Sequence, residues 1–149
     1  MKILFDTSTL LAALLQSHPA HGFVLPWLKQ AQTRAIEGIV GAHTLAELFN
    51  KLTIVPMPRP VLANEAEAML KDGIERHFQI VHLEAADYFA VIEDLVARSL
   101  TGGIIYDALI LRAGVKANAD RILTLNAKHF RRIDPALADR IFDPSTPTP

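Results

Sequence analysis

Two aspartates stand at the borders of apolar segments, where a negative charge is costly to bury. Asp6 follows the apolar run Ile3–Phe5, and Asp107 interrupts a second apolar stretch, between Tyr106 and Ala108. Moving a carboxylate out of water is unfavourable unless a cation or hydrogen-bond donors replace the lost hydration. We therefore expect each aspartate to have such a partner, and a metal ion is one candidate.

Several carboxylates gathered at one place predict a divalent cation. At an effective dielectric constant of roughly 20, two carboxylates about 5 Å apart repel each other by roughly 3 kcal/mol. Such acids either take up protons or bind a cation, and oxygen ligands favour Mg²⁺ or Mn²⁺. One or two of these ions can activate water and stabilise the leaving oxygen in phosphodiester hydrolysis. Acids without the partners of a basic catalytic triad suit this reaction.

The elements that must position these acids alternate between strands and helices. Apolar runs predict strands at residues 3–5, 35–40, 78–83 and 121–125. Helical spacing of apolar residues predicts helices at residues 10–15 continuing over 23–32, then at 45–52, 62–76, 85–98, 105–117 and 127–132. This order indicates an α/β fold with a mostly parallel sheet, whose chemistry lies beyond the carboxyl ends of the strands. Asp6 and residues 124–126 fall at such ends.

Length and composition limit the class of protein. A chain of 149 residues with 50% hydrophobic content fits one domain, which we expect over residues 1–143, before a flexible Pro/Ser/Thr tail at 144–149. The net charge of −1 gives no general attraction to nucleic acid. The absence of cysteine excludes disulfides and thiol nucleophiles and is compatible with a reducing cytoplasm. The longest apolar stretch near the start is too short to span a bilayer, so we expect a cytoplasmic protein that does not enter the membrane.

Four short motifs occur in order along the chain. They are Phe5-Asp6-Thr7-Ser8, Ala46-Glu47-Leu48, Tyr106-Asp107-Ala108-Leu109, and Leu123-Thr124-Leu125-Asn126 followed by His129-Phe130. Up to about residue 132, their order and spacing resemble those of PIN-domain ribonucleases, and most of all the VapC toxins of toxin–antitoxin pairs. The resemblance implies a PIN-like α/β/α sandwich with a mostly parallel sheet of four or five strands. It also implies a Mg²⁺- or Mn²⁺-dependent endoribonuclease that cleaves RNA, forms a homodimer and is inhibited by a cognate antitoxin.

The same resemblance assigns roles to four residues. Asp6, Glu47 and Asp107 become the metal ligands, and the catalytic set consists of these three acids together with Asn126. Asn126 departs from a frequent pattern in which this neighbourhood carries an additional Asp. His129 occupies a place where many relatives have another acid, which suggests a lower affinity for the cation.

Each of the four residues also has a simpler structural explanation. Asp6 could cap the helix that follows it, although the two hydroxyl residues after it could do so instead. Asp107 could complement the dipole of its helix from the first turn. Glu47 points away from the apolar stripe of its helix, so periodicity alone makes it a solvated residue. Asn126 could cap the short helix near the end of the chain.

A local excess of positive charge surrounds the last motif. The basic residues of this segment are Arg112, Lys116, Arg121, Lys128, Arg131 and Arg132. They could hold RNA phosphates, although a charged surface is usually only solvated. The absence of a Gly-x-Ser-x-Gly turn argues against a Ser-His-Asp hydrolase, and the absence of a Gly-x-x-x-x-Gly-Lys motif excludes a nucleotide-binding P-loop. The remaining alternative is a catalytically weak or inactive PIN-like module that binds RNA or another partner.

Overall fold

Strands and helices alternate along the chain, as the apolar pattern predicts. The computed structural model describes residues 1–146. Its elements are β1 (Lys2–Phe5), α1 (Thr7–Leu14), α2 (His21–Gln32), β2 (Glu37–Gly41), α3 (Ala42–Ile54), α4 (Ala63–Leu70), a π-helical turn (Lys71–Glu75), β3 (Phe78–Val81), α5 (Ala85–Ala97), α6 (Ile104–Lys116), β4 (Arg121–Leu123), α7 (Ala127–Ile133), a 3₁₀ helix (Pro135–Arg140) and β5 (Ile141–Phe142).

The five strands form one sheet in the order β3-β2-β1-β4-β5. Every neighbouring pair is parallel, so the carboxyl ends of all five strands meet at one edge. The predicted α/β/α sandwich with a mostly parallel sheet of four or five strands is confirmed. Strand β5 has no prediction of its own because two residues carry no readable alternation.

Alternate residues of each strand enter two separate cores. On one face of the sheet, Leu4, Ile39 and Ile122 are buried against helices α5, α6 and α7. On the other face, Ile3 and Phe5 are buried against α1 and α2. This separation follows from the two-residue period of a strand. Helices therefore cover both faces, which is why the strands of a parallel sheet are apolar throughout.

The helices differ from the predicted ones in two places. The helix predicted to continue from residues 10–15 into 23–32 is wrong, because α1 ends at Leu14 and α2 begins at His21. Pro19 disfavours helical backbone at the residue before it and so separates the two helices. The helix predicted at 62–76 is α-helical only to Leu70 and then widens into the π-helical turn. Within residues 1–146, no helix is both long and apolar enough to cross a bilayer.

The end of the chain is described only in part. The predicted flexible tail covers residues 144–149, of which 147–149 lie outside the described residues. Before them, the backbone N–H of Ser145 donates to the carboxylate of Asp143 at 2.8 Å, and that of Thr146 donates to the carbonyl of the same residue. Residues 143–146 therefore form a hydrogen-bonded turn after β5.

Candidate active site

The carboxyl ends of β1 and β4 bring Asp6 and Thr124 together. These strands are neighbours in the sheet, with Phe5 paired to Leu123, so the next residue of each strand lies at the same edge. The hydroxyl of Thr124 donates a 2.7 Å hydrogen bond to Oδ2 of Asp6. A contact between residues 118 positions apart in sequence thus follows directly from the strand order.

Asp6 is buried and fully engaged with hydrogen-bond donors. Its side chain caps α1, with Oδ1 accepting from the backbone N–H of Thr9 at 2.8 Å and from the Thr9 hydroxyl at 2.9 Å. The hydroxyl of Ser8 lies 2.8 Å from both carboxylate oxygens. The alternative of a hydroxyl residue, Thr7 or Ser8, as the cap is therefore wrong, because the chain becomes helical already at Thr7. Burial raises the pKa of Asp6, and these hydrogen bonds offset only part of that shift.

Glu47 is tied to neighbouring side chains instead of being freely solvated. Helix α3 begins directly after β2, so its first turns stand at the same edge of the sheet. The hydroxyl of Thr7 donates to Oε2 of Glu47 at 2.8 Å, and Nζ of Lys51 lies 3.7 Å from Oε1. Periodicity alone predicts that Glu47 is only solvated, and this interpretation is wrong. The contact with Thr7 of α1 depends on how the helices pack, which the apolar pattern of α3 does not contain.

Asp107 lies in the first turn of α6 and is half-buried. Its Oδ2 is 3.0 Å from Nδ1 of His129 on α7. Burial is the main reason that the pKa of Asp107 is raised; a protonated His129 lowers this pKa, and the negative charge of Glu47 raises it further. Glu47 and Asp107, which come from different helices, are therefore close enough to interact electrostatically.

Asn126 occupies the cap position of α7, but its side chain makes no capping hydrogen bond. Its backbone N–H donates to the hydroxyl of Thr124 at 3.0 Å, which places the residue next to the Asp6 cluster. The side chain is exposed and has no hydrogen-bond partner within the described part of the chain. The predicted capping role of the side chain is thus not realised, and the amide remains available to a ligand.

These contacts close a ring around the sheet edge. Asp6 accepts a hydrogen bond from Thr124, and the next residue, Thr7, donates one to Glu47. The charge of Glu47 raises the pKa of Asp107, which also pairs with His129. His129 and Thr124 belong to the same segment after β4, which completes the ring. Residues 1–146 contain no group of three His, Asp or Glu side chains close enough to share one metal ion as they stand. The donors nevertheless fit a hard cation, because they are carboxylate oxygens and two of the acids have a raised pKa. A bound cation would offset both the burial and the mutual repulsion.

Three residues that contact these acids were not proposed as site residues from the sequence, although Ser8 was considered as a helix cap. Ser8 and Thr9 are hydroxyl residues within the first helical turn after Asp6, a pattern typical of helix starts. Lys51 lies four residues after Glu47 on the same helix face, a spacing that favours an ion pair. These local signals were available in the sequence. The pairing of His129 with Asp107 had no such signal, because it joins α7 to α6.

The residues of the predicted basic excess lie in three separate places. Arg112 and Lys116 both bind Asp87 of α5, with closest distances of 2.9 Å and 2.8 Å. Asp87 also accepts from the backbone N–H of Glu84, and these donors hold the pKa of its carboxyl well below the usual range. Arg112 and Lys116 therefore join α5 to α6. Lys128, Arg131 and Arg132 lie on α7, whereas Arg121 stands apart from them at the start of β4.

Known proteins resemble this chain in sequence and in structure. The PIN domain model matches residues 3–135. Ribonuclease VapC40 of Mycobacterium tuberculosis is 30% identical over 105 residues, which are 70% of this chain and 72% of VapC40. Among solved structures, VapBC2 from Rickettsia felis, bound to a DNA fragment from its promoter, superimposes with a TM-score of 0.67 at 20% identity over 96% of this chain and 98% of that one.

A second solved structure has the same fold at lower coverage. Mycobacterium tuberculosis VapC20, described as a toxin that cleaves the sarcin–ricin loop, has a TM-score of 0.63 at 17% identity over 80% of this chain and 86% of VapC20. The family model matches most of the chain, and this match shows the family. The chain belongs to the PIN domain family.

Proposed function

We propose that this protein is a divalent-metal-dependent endoribonuclease and the toxin of a toxin–antitoxin pair. One observation carries the proposal: Asp6 follows the carboxyl end of β1, its neighbour Thr7 donates to Glu47 of α3, and the charge of Glu47 adds to the burial that raises the pKa of Asp107 on α6. The 30% identity to a protein named ribonuclease VapC40 supports RNA as the substrate.

Each residue of the site has a role in this proposal. Asp6, Glu47 and Asp107 would hold Mg²⁺ or Mn²⁺, which when bound activates water and stabilises the leaving oxygen. The hydroxyl of Thr124 and the first turn of α1 fix the carboxylate of Asp6. The exposed amide of Asn126 orients a water molecule or a phosphate oxygen. His129 restrains Asp107 through their 3.0 Å contact.

The partners follow from the same proposal. RNA is the substrate, a second copy of the chain forms the homodimer, and a cognate antitoxin covers the acidic site. This chain shares its fold with VapBC2, which was solved bound to a DNA fragment from its promoter. The protein acts in the cytoplasm, where its RNA substrates and its antitoxin are made.

A cleavage assay with a charge-matched control tests the proposal. The purified protein is incubated with generic single-stranded RNA and with Mg²⁺ or Mn²⁺, with and without excess EDTA. We expect cleavage that EDTA abolishes and that Asp107→Asn lowers by about 10²-fold or more, since a metal ligand contributes several kcal/mol to the transition state. The control is Asp94→Asn, which removes the same charge from an exposed position of α5 and leaves cleavage unchanged.

The second candidate is a catalytically weak or inactive module that binds RNA or another partner. The saturation of the Asp6 carboxylate by protein donors favours it, because those hydrogen bonds compete with a cation. This candidate predicts no cleavage with either cation and an RNA affinity that is the same in wild type, Asp6→Asn and Asp107→Asn. Metal-dependent cleavage that Asp107→Asn abolishes excludes it.

A further inference from the structure

A cleft beside the acidic site is lined by basic residues that the site itself does not use. Its volume is about 560 Å³, and it lies between α7 and the turn that follows β5. Two of its lining residues also contact the acidic site: His129 pairs with Asp107, and the backbone N–H of Asn126 donates to Thr124. The cleft therefore adjoins the site in which Asp107 lies.

Two of the cations in the cleft have no ion-pair partner in the described residues. Lys128 and Arg132 are exposed on α7, and within residues 1–146 neither of them forms an ion pair or a side-chain hydrogen bond. Arg131 is different, because its guanidinium donates to the carbonyl of Ile141 at 2.8 Å and so fastens α7 to β5. Lys128 and Arg132 thus contribute positive charge to the cleft and make no polar side-chain contact with the rest of the described protein.

The acid that lines the cleft is engaged within its own turn. Oδ1 of Asp143 accepts from the backbone N–H of Ser145 at 2.8 Å and from the Ser145 hydroxyl at 2.7 Å. This carboxylate therefore has local donors and makes no ion pair with Lys128 or Arg132 in the described residues. The balance of charge in the cleft is positive, in a protein whose net charge is −1.

We propose that this cleft binds the phosphates of an RNA strand on its way to the acidic site, with Lys128 and Arg132 as the contacting residues. The inference rests on the proposed ribonuclease function and adds to it the path of the substrate. Acids that hold a cation repel the remaining phosphates of the strand, and a protein without net positive charge must attract them locally. A cationic cleft that shares Asn126 and His129 with the site supplies this attraction next to the bond to be cleaved.

RNA binding without catalysis tests the proposal. The anisotropy of a fluorescent single-stranded RNA is measured in EDTA over a series of salt concentrations for wild type, Lys128→Gln and Arg132→Gln. The matched control is Arg121→Gln, which removes the same charge from an exposed residue at the start of β4, at the opposite edge of the sheet. All three substitutions are at exposed positions, and unchanged circular dichroism and melting temperatures show that the variants fold.

We expect the two cleft variants to bind RNA several-fold more weakly at low salt and the control to bind like wild type. The slope of log K against log salt should fall by about 0.7 for each phosphate contact that is lost. Equal losses in all three variants, unchanged binding in the cleft variants, or no binding by wild type would each overturn the proposal. A further control is polyglutamate of the same charge as the RNA. If it binds as tightly as the RNA, and if Lys128→Gln and Arg132→Gln weaken that binding too, the cleft is a site for an acidic protein and the proposal is overturned.

The proposal for the cleft and the proposal of ribonuclease function can be contradicted independently of each other. Weaker RNA binding in Lys128→Gln and Arg132→Gln, together with no cleavage by wild type, supports the cleft and contradicts the nuclease. Metal-dependent cleavage with unchanged KM in both cleft variants supports the nuclease and overturns the cleft. If both are right, the cleft variants raise KM more than they lower kcat, because their contacts are made in the bound substrate as well as in the transition state.

Discussion

The carboxylate of Asp6 serves two purposes at the residue scale. It caps α1 through the backbone N–H of Thr9, and it is the most buried of the three acids in the proposed site. Burial raises its pKa more than the hydrogen bonds from Thr124, Thr9 and Ser8 lower it. In the absence of a cation, the ionised form is therefore a net cost to the folded state, even though its donors are well placed.

This balance predicts the effect of replacing Asp6 by asparagine. We expect Asp6→Asn to leave the free energy of unfolding at pH 7 unchanged or to raise it, because asparagine caps a helix as well as aspartate and carries no buried charge. A carboxyl whose folded pKa is raised stabilises the fold fully below its unfolded pKa, and this contribution is lost as the pH rises through the folded pKa. The advantage of the variant should therefore grow as the pH rises from 4 to 7, as urea denaturation at each pH measures.

The alanine variant is the control for the capping role. Asp6→Ala leaves the N–H of Thr9 and the hydroxyls of Ser8 and Thr124 without their acceptor, and we expect it to lower the free energy of unfolding by about 1–2 kcal/mol. An equal loss in Asp6→Asn would contradict the prediction, because it would mean that the charge itself stabilises the start of α1.

The sequence identifies the acids of the site better than their partners. Apolar flanks predict that Asp6 and Asp107 need compensation, and in the structure both have it. The flanks do not distinguish a cation from hydroxyl donors or from a histidine, since each of these replaces the lost hydration. Thr124 and His129, which contact the two acids, come from a connection that is distant in sequence. Their contacts follow from strand order and helix packing.

At the scale of elements, the types of structure are more predictable than their arrangement. The four predicted strands and the helices between them are present, with the exceptions at Pro19 and after Leu70. The placement of β4 beside β1 is not contained in any local pattern, because each strand is a short apolar run that could pair with any other. That placement brings Asp6 and Thr124 into contact, so the site depends on it.

One glycine of the sheet stands where neighbouring elements approach closely. Gly38 in β2 faces the ring of Phe78 in the neighbouring strand, and a Cβ atom there would lie 2.7 Å from the ring and 3.0 Å from Cβ of Ala31. The two neighbours come from β3 and α2, so the contact joins the sheet to one of its helices. An aromatic ring packed in the core does not move aside as a flexible chain end does.

We expect Gly38→Ala to lower the free energy of unfolding by about 1–3 kcal/mol, since overpacking in a dense core forces the neighbours to shift. The matched control is Gly22→Ala in α2, where a Cβ atom would have no neighbour within 4 Å and where alanine stabilises the helix by up to about 1 kcal/mol. Thermal or urea denaturation of both variants measures the difference. A Gly38→Ala protein as stable as Gly22→Ala would show that β2 and α2 pack more loosely than this geometry indicates.

At the scale of the whole molecule, opposite charges are placed side by side while the total stays near zero. The net charge is −1, yet Glu47 and Asp107 interact at the sheet edge, and cations without an ion-pair partner in the described residues line the adjoining cleft. Arg112 and Lys116 both pair with Asp87 and so keep α5 on α6. We expect this face to be the one that attracts a polyanion most strongly, so that a partner covering it would weaken the attraction.

This arrangement leads to a prediction for the protein in a cell. We expect expression of the wild type in a bacterial host to arrest growth, because a nuclease with an open site cleaves cellular RNA. Asp107→Asn should be harmless at an equal protein level, whereas Asp94→Asn should arrest growth like wild type. Co-expression of a small partner encoded beside the gene should relieve the arrest by covering the acidic edge.

Growth curves after induction, with protein levels measured by immunoblot, check the prediction. Cleavage of RNA in vitro together with harmless expression of the wild type would contradict the toxin and point to a nuclease of ordinary RNA processing. Arrest by Asp107→Asn equal to that of wild type would contradict cleavage as the cause, since that variant keeps the fold and the basic cleft but lacks the acid of α6. The two substitutions remove the same charge at different places, so the contrast between them separates loss of the site from loss of charge.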